Sequence, residues 1–240
     1  MPFIPLDTLH SGASELGIEL SDNQLALMDE FAAFMVETNE RLNLTRIINP
    51  SDIVTAHYLD SLTCLAALNV PQGAKVIDVG TGAGFPGIPI KIVRPDLHVT
   101  LLDATFKKIK FLSDAIQRLG LEGIEPVHAR AEEIGREKAF REHYDIAYAR
   151  ALSETRVLAE LCLPLVRIGG YVIAQKSKEI DEELAEARAI IGQLGGRVEK
   201  TVRTHIPFTE ITRQLVVIAK DKPTPQSFPR PYAKIVRSKG

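Results

Sequence analysis

A short apolar run that leads into a glycine-rich turn constrains the fold of this chain more than any other feature. Residues 76–87 read Val-Ile-Asp-Val-Gly-Thr-Gly-Ala-Gly-Phe-Pro-Gly, so four glycines fall within eight residues. The pattern predicts a buried strand, a tight turn and the start of a helix. Because glycine lacks a Cβ atom and tolerates positive φ, such a turn lets the backbone approach a nucleotide-like ligand closely. We therefore predict a ligand site at this turn.

Apolar runs and helical patterns alternate along most of the chain. Strands are predicted at 75–79, 98–102, 124–128, 144–149 and 169–175, and helices at 85–93, 105–119, 130–139, 153–165 and 179–194. This alternation is typical of an α/β, Rossmann-like fold with helices on both faces of a parallel sheet. Two further strands, at about 197–205 and 213–219, have no helix between them. They predict a seven-stranded sheet in which one strand is antiparallel.

The two ends of the chain differ from this pattern. Residues 1–70 look helical, with Ser21 as a candidate N-cap and Pro50 at the start of a later helix. The C-terminal end is rich in proline, lysine and arginine. It is either a solvated terminus or a segment that lies on a phosphate backbone. We therefore divide the chain into an N-terminal helical extension (1–70), a ligand-binding domain (71–222) and a basic tail (223–240).

Composition narrows the class of protein. The net charge of −2 does not by itself indicate a nucleic-acid-binding protein. Evidence for nucleic-acid binding must therefore come from local clusters of basic residues. Cys64 and Cys162 lie in helical patterns without zinc-ligand spacing, which predicts buried thiols and no metal site. We find neither a signal peptide nor an apolar run near 18 residues. We expect a cytoplasmic monomer.

Two cofactors match the glycine-rich turn. Gly82-x-Gly84-x-x-Gly87, followed by Asp103 at the end of the second predicted strand, fits the fingerprint of an NAD-binding dehydrogenase. The series Asp78-x-Gly80-x-Gly82-x-Gly84 fits S-adenosylmethionine (AdoMet) instead. Asp103 suits either ligand, because both contain a ribose.

Two residues favour AdoMet over NAD. Asp78 places an acid beside the turn, which suits a ligand that carries a positive sulfonium and a positive ammonium group. Pro86 removes an N–H donor at the start of the helix, where a pyrophosphate needs donors. The sequence therefore predicts an AdoMet-dependent methyltransferase, and the dehydrogenase stays open as an alternative.

The methyl acceptor is less constrained. Methylation of exocyclic amines commonly uses an Asn/Asp-Pro-Pro-aromatic turn after the fourth strand, where residues 148–152 read Tyr-Ala-Arg-Ala-Leu. Methylation at pyrimidine C5 needs a cysteine nucleophile, and neither cysteine follows the fourth or fifth strand. The N7 atom of guanine has a free lone pair and no proton to lose, so alignment alone can suffice. The residues allow an N7 acceptor without requiring it.

Several motifs together resemble the RsmG (GidB) family. They are Asn43-Leu44-Thr45, His57-x-x-Asp60-Ser61, the run from Asp78 through Gly-Phe-Pro-Gly-Ile-Pro at 84–89, Leu102-Asp103-Ala104 with Lys107-Lys108, Arg130-Ala131-Glu132, Ala149-Arg150-Ala151 and Arg213-x-Leu215. The similarity spans residues 40–220 in order and spacing. It implies a bacterial AdoMet-dependent enzyme that methylates N7 of a guanine in the 530 loop of 16S ribosomal RNA.

The resemblance also implies roles for individual residues. The cofactor-binding candidates are Asp78, Gly80, Gly82, Gly84, Phe85, Asp103, Ala104, Thr105, Ala131, Glu132 and Arg150. Arg150 and His57 are the candidates for orienting the substrate. The basic residues near the predicted ligand edge suggest phosphate contacts, with Arg46, Lys107, Lys108, Lys176 and Arg230 as candidates for binding 16S rRNA or the 30S subunit. A small-molecule methyltransferase and a non-enzymatic RNA-binding module are the remaining alternatives.

Overall fold

The computed structural model describes residues 1–177 and 180–237. Its strands are β1 Lys75–Val79, β2 His98–Asp103, β3 Ile124–His128, β4 Tyr144–Arg150, β5 Val166–Lys176, β6 Gly196–His205 and β7 Thr212–Lys220. They form a seven-stranded sheet in the order β3-β2-β1-β4-β5-β7-β6. Strand β7 pairs antiparallel with both β5 and β6, and the other neighbouring strands pair in parallel. The predicted sheet with one antiparallel strand is confirmed.

Helices cover both faces of this sheet. The α-helices of the described residues are α1 Leu6–Glu15, α2 Asp22–Leu42, α3 Pro50–Ile53, α4 Asp60–Leu62, α5 Gly87–Val93, α6 Phe106–Leu119, α7 Ala131–Ile134, α8 Thr155–Cys162, α9 Asp181–Gln193 and α10 Tyr232–Arg237. A π-helical segment, Val54–Leu59, joins α3 to α4. The predicted helix start at residue 179 lies outside the described residues.

The predicted helix over 130–139 is wrong beyond its first turn. Helix α7 ends at Ile134, and residues 135–142 form turns. Arg141 Nη1 donates to the carbonyl oxygen of Gly135 at 2.7 Å, which occupies an acceptor that a longer helix would use. Gly135 itself has low helix propensity, so the segment turns there and leads into β4.

The N-terminal helices pack on one face of the sheet. Ser21 caps α2 with a complete capping box, in which its side chain accepts from the backbone N–H of Gln24. Met28 and Phe31 of α2 share one apolar cluster with Val76 of β1. This packing holds the segment that carries His57 against the carboxyl end of β1. The division into helical extension, domain and tail stays a prediction.

The C-terminal residues up to 237 lie against the opposite side of the sheet layer. Ile235 of α10 is fully buried in an apolar cluster with Val157 and Leu158 of α8. This part of the predicted basic tail is therefore packed on the body of the protein. Residues 238–240, including Lys239, lie outside the described residues.

Candidate active site

The glycine-rich turn folds back onto the neighbouring strand. Gly80, Gly82 and Gly84 have φ values of 76°, 62° and 98°, which only glycine adopts without strain. The backbone N–H groups of Gly80 and Thr81 both donate to the carbonyl oxygen of Leu102 in β2, at 2.9 and 3.0 Å. These bonds fix the turn at the edge where β1 and β2 end.

Asp78 stabilises the turn through two hydrogen bonds. Its Oδ2 accepts from Thr81 Oγ1 at 2.6 Å and from the backbone N–H of Gly87 at 2.9 Å. A Cβ on Gly87 would lie 2.3 Å from Leu101 Cδ2, so this glycine is needed for close packing of α5 on the sheet. Burial raises the pKa of Asp78 to about 6, although both hydrogen bonds oppose that shift. Asp78 thus organises the turn, and its contact with the cofactor stays a prediction.

Asp103 occupies the end of β2 beside the turn. Its carboxylate accepts from the backbone N–H of Gly82 at 3.1 Å and of Thr105 at 2.8 Å. Lys108 Nζ donates to the same group at 3.3 Å. The Asp103 side chain is only about 8% exposed and lies in the wall of a cleft. A nearly buried acid held by backbone donors is well placed to accept hydrogen bonds from ribose hydroxyls.

A cleft beside Asp103 brings several sequence-predicted cofactor residues together. It is lined in part by Gly80, Asp103, Ala104, Ala131 and Glu132, all of them sequence-predicted cofactor residues. A Cβ on Gly82 would meet nothing nearer than the Gly80 carbonyl oxygen at 4.0 Å, so this position opens onto free space. The backbone can therefore approach a ligand here, as the sequence predicts.

A second group of residues lies at the switch point between β1 and β4. The rings of His57 and Phe85 stack at 4.3 Å between centroids, with an interplanar angle of 7°. The Arg150 guanidinium lies 5.4 Å from the centroid of the Phe85 ring. The structure thus brings His57, Phe85 and Arg150 together. The point where strand order reverses is also where ligands bind in open α/β sheets.

Asp60 connects this group to residues of the neighbouring strands β5 and β7. Its Oδ2 accepts from Arg150 Nη1 at 2.9 Å, and its Oδ1 accepts from Arg213 Nε at 2.7 Å. Gln175 Nε2 also donates to Oδ1 at 2.8 Å. The Asp60 side chain is about 5% exposed. One buried carboxylate therefore holds two arginines, so the three residues together carry a net positive charge at the rim.

His57 is neutral in this arrangement. Arg150 Nη2 lies 3.4 Å from His57 Nδ1, and a guanidinium can only donate, so Nδ1 accepts. Nε2 then carries the proton and donates to Thr45 Oγ1 at 3.0 Å. Burial, with Arg150 as the second cause, lowers the pKa of His57 to about 3. His57 is therefore too weak a base to take a proton at neutral pH.

The five RNA-binding candidates fall into two groups. Arg46 and Lys107 are exposed, and neither has an ion-pair partner within residues 1–177 and 180–237. The other three are paired: Lys108 with Asp103 at 3.3 Å, Lys176 with Glu183 at 2.6 Å, and Arg230 with Glu160 at 2.6 Å. Three of the five candidates are therefore already engaged in ion pairs within the protein.

Sequence reasoning left several site residues out of its candidate set. They are Thr45, Asp60, Gln175 and Arg213, whose side chains complete the network around Arg150 and His57. Arg213 carried a usable signal, because a charged residue opens an otherwise apolar strand.

In the part of the chain that the structure describes, no group of three or more His, Cys, Asp or Glu side chains could hold a metal. No helix there is long and apolar enough to cross a membrane.

The sheet order separates the two cofactor hypotheses. A dinucleotide-binding dehydrogenase has the parallel order 3-2-1-4-5-6. Here an antiparallel strand is inserted between β5 and β6. Solved structures with a similar fold include a SAM-dependent methyltransferase from Aquifex aeolicus (TM-score 0.51, 20% identity, covering 70% of this chain and 92% of that one). Another is the putative methyltransferase in complex with the Haloferax volcanii Trm112 activator (TM-score 0.57, 13% identity, 80% and 98%).

Sequence comparison gives the family. Residues 24–216 match the family profile described as GidB, rRNA small subunit methyltransferase G. The chain is 45% identical to ribosomal RNA small subunit methyltransferase G of Desulforamulus reducens, covering 93% of both proteins. It is 41% identical to the protein of the same name from Caldanaerobacter subterraneus, covering 98% of this chain and 97% of the relative. The chain therefore belongs to the GidB family of rRNA small subunit methyltransferases.

Proposed function

We propose that this protein transfers a methyl group from AdoMet to N7 of a guanine in the 530 loop of 16S ribosomal RNA. Membership of the family supports ribosomal RNA of the small subunit as the substrate class. The resemblance seen in the sequence supports the 530 loop. We place the activity in the cytoplasm, with the protein acting as a monomer on 16S rRNA or the 30S subunit.

The observation that supports an N7 acceptor is the state of three titratable side chains, His57 and Asp60 beside Arg150 and Asp103 beside the glycine-rich turn. His57 has both ring nitrogens engaged and a pKa of about 3. Asp60 is held by Arg150 and Arg213, and Asp103 by two backbone N–H groups. A hydroxyl or amine acceptor needs a group to take its proton, whereas guanine N7 does not. These three residues suit an acceptor that loses no proton.

The residues of this chain contribute by positioning. Asp103 and the glycine-rich turn would hold the ribose, and Ala131 and Glu132 the adenine end. AdoMet, when bound, supplies a methyl group made electrophilic by its sulfonium. Phe85 and Arg150 lie where the base would approach, and the Asp60 contact fixes the direction of the Arg150 guanidinium. Alignment of a lone pair with a reactive carbon can lower a barrier by about 7–11 kcal/mol.

Exposed cations near the cofactor edge support an RNA partner. Lys107 and Lys110 lie on α6, directly after the Asp103 strand, and Arg46 lies before the segment with His57. Phe106 is 67% exposed at the same edge. Exposed aromatic and basic side chains together are typical of surfaces that bind unpaired RNA.

The test uses 30S subunits and bare 16S rRNA from cells that lack this protein. Purified protein and methyl-labelled AdoMet are added, and the labelled position is mapped by borohydride–aniline cleavage, which breaks RNA at N7-methylguanosine. We expect one labelled guanine, in the 530 loop. Label at another atom or another guanine would overturn the proposed acceptor, and no transfer to either RNA substrate would overturn the activity.

A further inference from the structure

The cofactor cleft has a second wall that the sequence motifs do not supply. Besides Gly80, Asp103 and Glu132, the cleft is lined by Leu152, Leu161 and Tyr232. Tyr232 is the first residue of α10, more than 80 residues after any predicted cofactor residue. The C-terminal segment, residues 223–237, therefore reaches the cofactor cleft from outside the motif region.

Arg141 anchors the first half of the C-terminal segment. Its guanidinium donates to the carbonyl oxygens of Thr224 at 2.6 Å, Pro225 at 3.2 Å and Phe228 at 2.8 Å. Thr224 is buried, and its backbone N–H donates to Glu142 Oε1 at 2.7 Å. These bonds hold the turn at residues 225–228 against the body of the protein.

A buried ion pair anchors the second half. Glu160 of α8 is fully buried, and its carboxylate accepts from the backbone N–H of Arg230 at 2.8 Å and from Arg230 Nη2 at 2.6 Å. A buried carboxylate is costly unless it is paired, so Glu160 requires this arginine. Arg156 Nη1 also donates to the carbonyl oxygen of the buried Ile235 at 2.7 Å. Tyr232 lies between these two fixed points.

The chemistry of Tyr232 suits a purine. Its side chain stays 44% exposed although its helix is anchored on both sides, so aromatic surface remains available. It shares the cleft with Ala131 and Glu132, and Phe85 and Arg150 do not line this cleft. The place of Tyr232 is therefore at the adenine end, away from the transferred methyl group.

We infer that the C-terminal segment is a wall of the AdoMet site and that Tyr232 stacks on the adenine of the cofactor. This inference rests on the proposed AdoMet chemistry and adds a residue to it. It assigns Arg230 to holding this wall, where the sequence predicted an RNA contact. Stacking of a base on an aromatic side chain is worth about 1–3 kcal/mol by alanine substitution.

Direct binding tests the inference without RNA. AdoMet affinity is measured by titration calorimetry for wild type, Tyr232→Ala, Tyr232→Phe and Val236→Ala, the last being an exposed residue of α10 that does not line the cleft. We expect Tyr232→Ala to raise the Kd about 5- to 160-fold, with the other two variants close to wild type. Methylthioadenosine, which keeps adenine and ribose but lacks the amino acid, should show the same loss.

The outcomes separate the inference from the activity. If wild type binds AdoMet and Tyr232→Ala binds it equally well, the role of Tyr232 is overturned while the proposed function stands. If Tyr232→Ala changes only the KM for RNA, Tyr232 belongs to the RNA surface and the inference also fails. If wild type binds no AdoMet, the cofactor assignment itself is overturned. Thermal unfolding of each ligand-free variant confirms that the mutants are folded.

Discussion

The His57 ring lies flat on the Phe85 ring, with centroids 4.3 Å apart and planes 7° from parallel. His57 belongs to the π-helical segment Val54–Leu59, and Phe85 lies between the glycine-rich turn and α5. The stack therefore joins the N-terminal helices to the cofactor turn. Because the imidazole is neutral, its contribution is shape and hydrogen bonding rather than charge.

The neutral state of His57 predicts a dependence of stability on pH. In the unfolded chain His57 takes up a proton near pH 6.5, whereas in the folded protein its pKa is about 3. Between these values the unfolded state binds more protons, so stability falls as the pH is lowered through this window. By pH 4.5 this costs wild type about 2–3 kcal/mol relative to pH 7.5.

The variant His57→Phe keeps an aromatic ring and removes the titrating group. We expect it to be less stable than wild type at pH 7.5, because Arg150 and Thr45 lose a partner. The difference in free energy of unfolding should shrink as the pH is lowered to 4.5, which urea titrations at the two pH values measure. If wild type and His57→Phe lost the same free energy of unfolding between pH 7.5 and pH 4.5, the assignment of a neutral His57 would be contradicted.

Arg150 and Arg213 share Asp60 but lie differently with respect to Phe85. Only Arg150 reaches the Phe85 ring and His57, so Arg150→Ala should lower kcat on the order of 10- to 100-fold. The AdoMet Kd should change less than kcat. Arg213→Ala removes one contact of Asp60 and leaves Arg150 in place, so its effect on kcat should be smaller.

Single-turnover assays with saturating AdoMet, together with calorimetric Kd values, separate these effects. If Arg150→Ala weakened AdoMet binding and left the single-turnover rate unchanged, Arg150 would belong to the cofactor site alone. Equal losses of kcat in Arg150→Ala and Arg213→Ala would show that catalysis depends on the contact that both arginines make with Asp60.

Local sequence signals predicted the strands and the glycine-rich turn beside Asp103. The strand, the turn and the acid at the end of β2 lie within about 30 residues, and each has its own signature in glycine or in alternating polarity. The network around Asp60 could not be predicted in this way. Asp60 meets Arg150 and Arg213 across separations of 90 and 153 residues, so the contacts follow from the packing of helices on the sheet.

The C-terminal end shows a second limit of local patterns. A run of prolines and basic residues looks the same whether it is solvated, lies on RNA or packs on the protein. What distinguishes these cases here is Glu160, a buried acid on α8 that pairs with Arg230 70 residues later. Burial of Glu160 becomes evident only when α8 is placed in the fold.

Gly82 offers a test of the cofactor cleft with a matched control. Gly82 and Gly120 have φ values of 62° and 60°, and a Cβ at either would meet no atom closer than 4.0 Å. Alanine at either position should therefore cost about 1–2 kcal/mol of stability through backbone strain. Only Gly82 lies in the glycine-rich turn beside Asp103, so only Gly82→Ala should weaken AdoMet binding.

Thermal unfolding and AdoMet calorimetry on both variants make the comparison. Similar losses of stability with a selective loss of affinity in Gly82→Ala are expected. Unchanged AdoMet affinity in Gly82→Ala would mean that the cofactor does not pass over the glycine-rich turn.

The dependence of RNA affinity on salt tests the proposed RNA surface. Lys107 is exposed at the cofactor edge of the sheet, and Lys138 is exposed in the turns that lead into β4, at the opposite edge. If Lys107 contacts a phosphate, Lys107→Ala should weaken binding and reduce the slope of log K against log salt by about 1. Lys138→Ala should leave affinity and slope unchanged.

Filter binding of 16S rRNA over a series of salt concentrations measures both slopes. Lys176→Ala provides a third case, because Lys176 is paired with Glu183 and donates to the Ser153 carbonyl oxygen at 2.7 Å. Its replacement should lower the thermal stability and leave the salt slope close to that of wild type. If the slope of log K against log salt fell by a full unit in Lys176→Ala but not in Lys107→Ala, the RNA surface would lie at the end of β5 and not on α6.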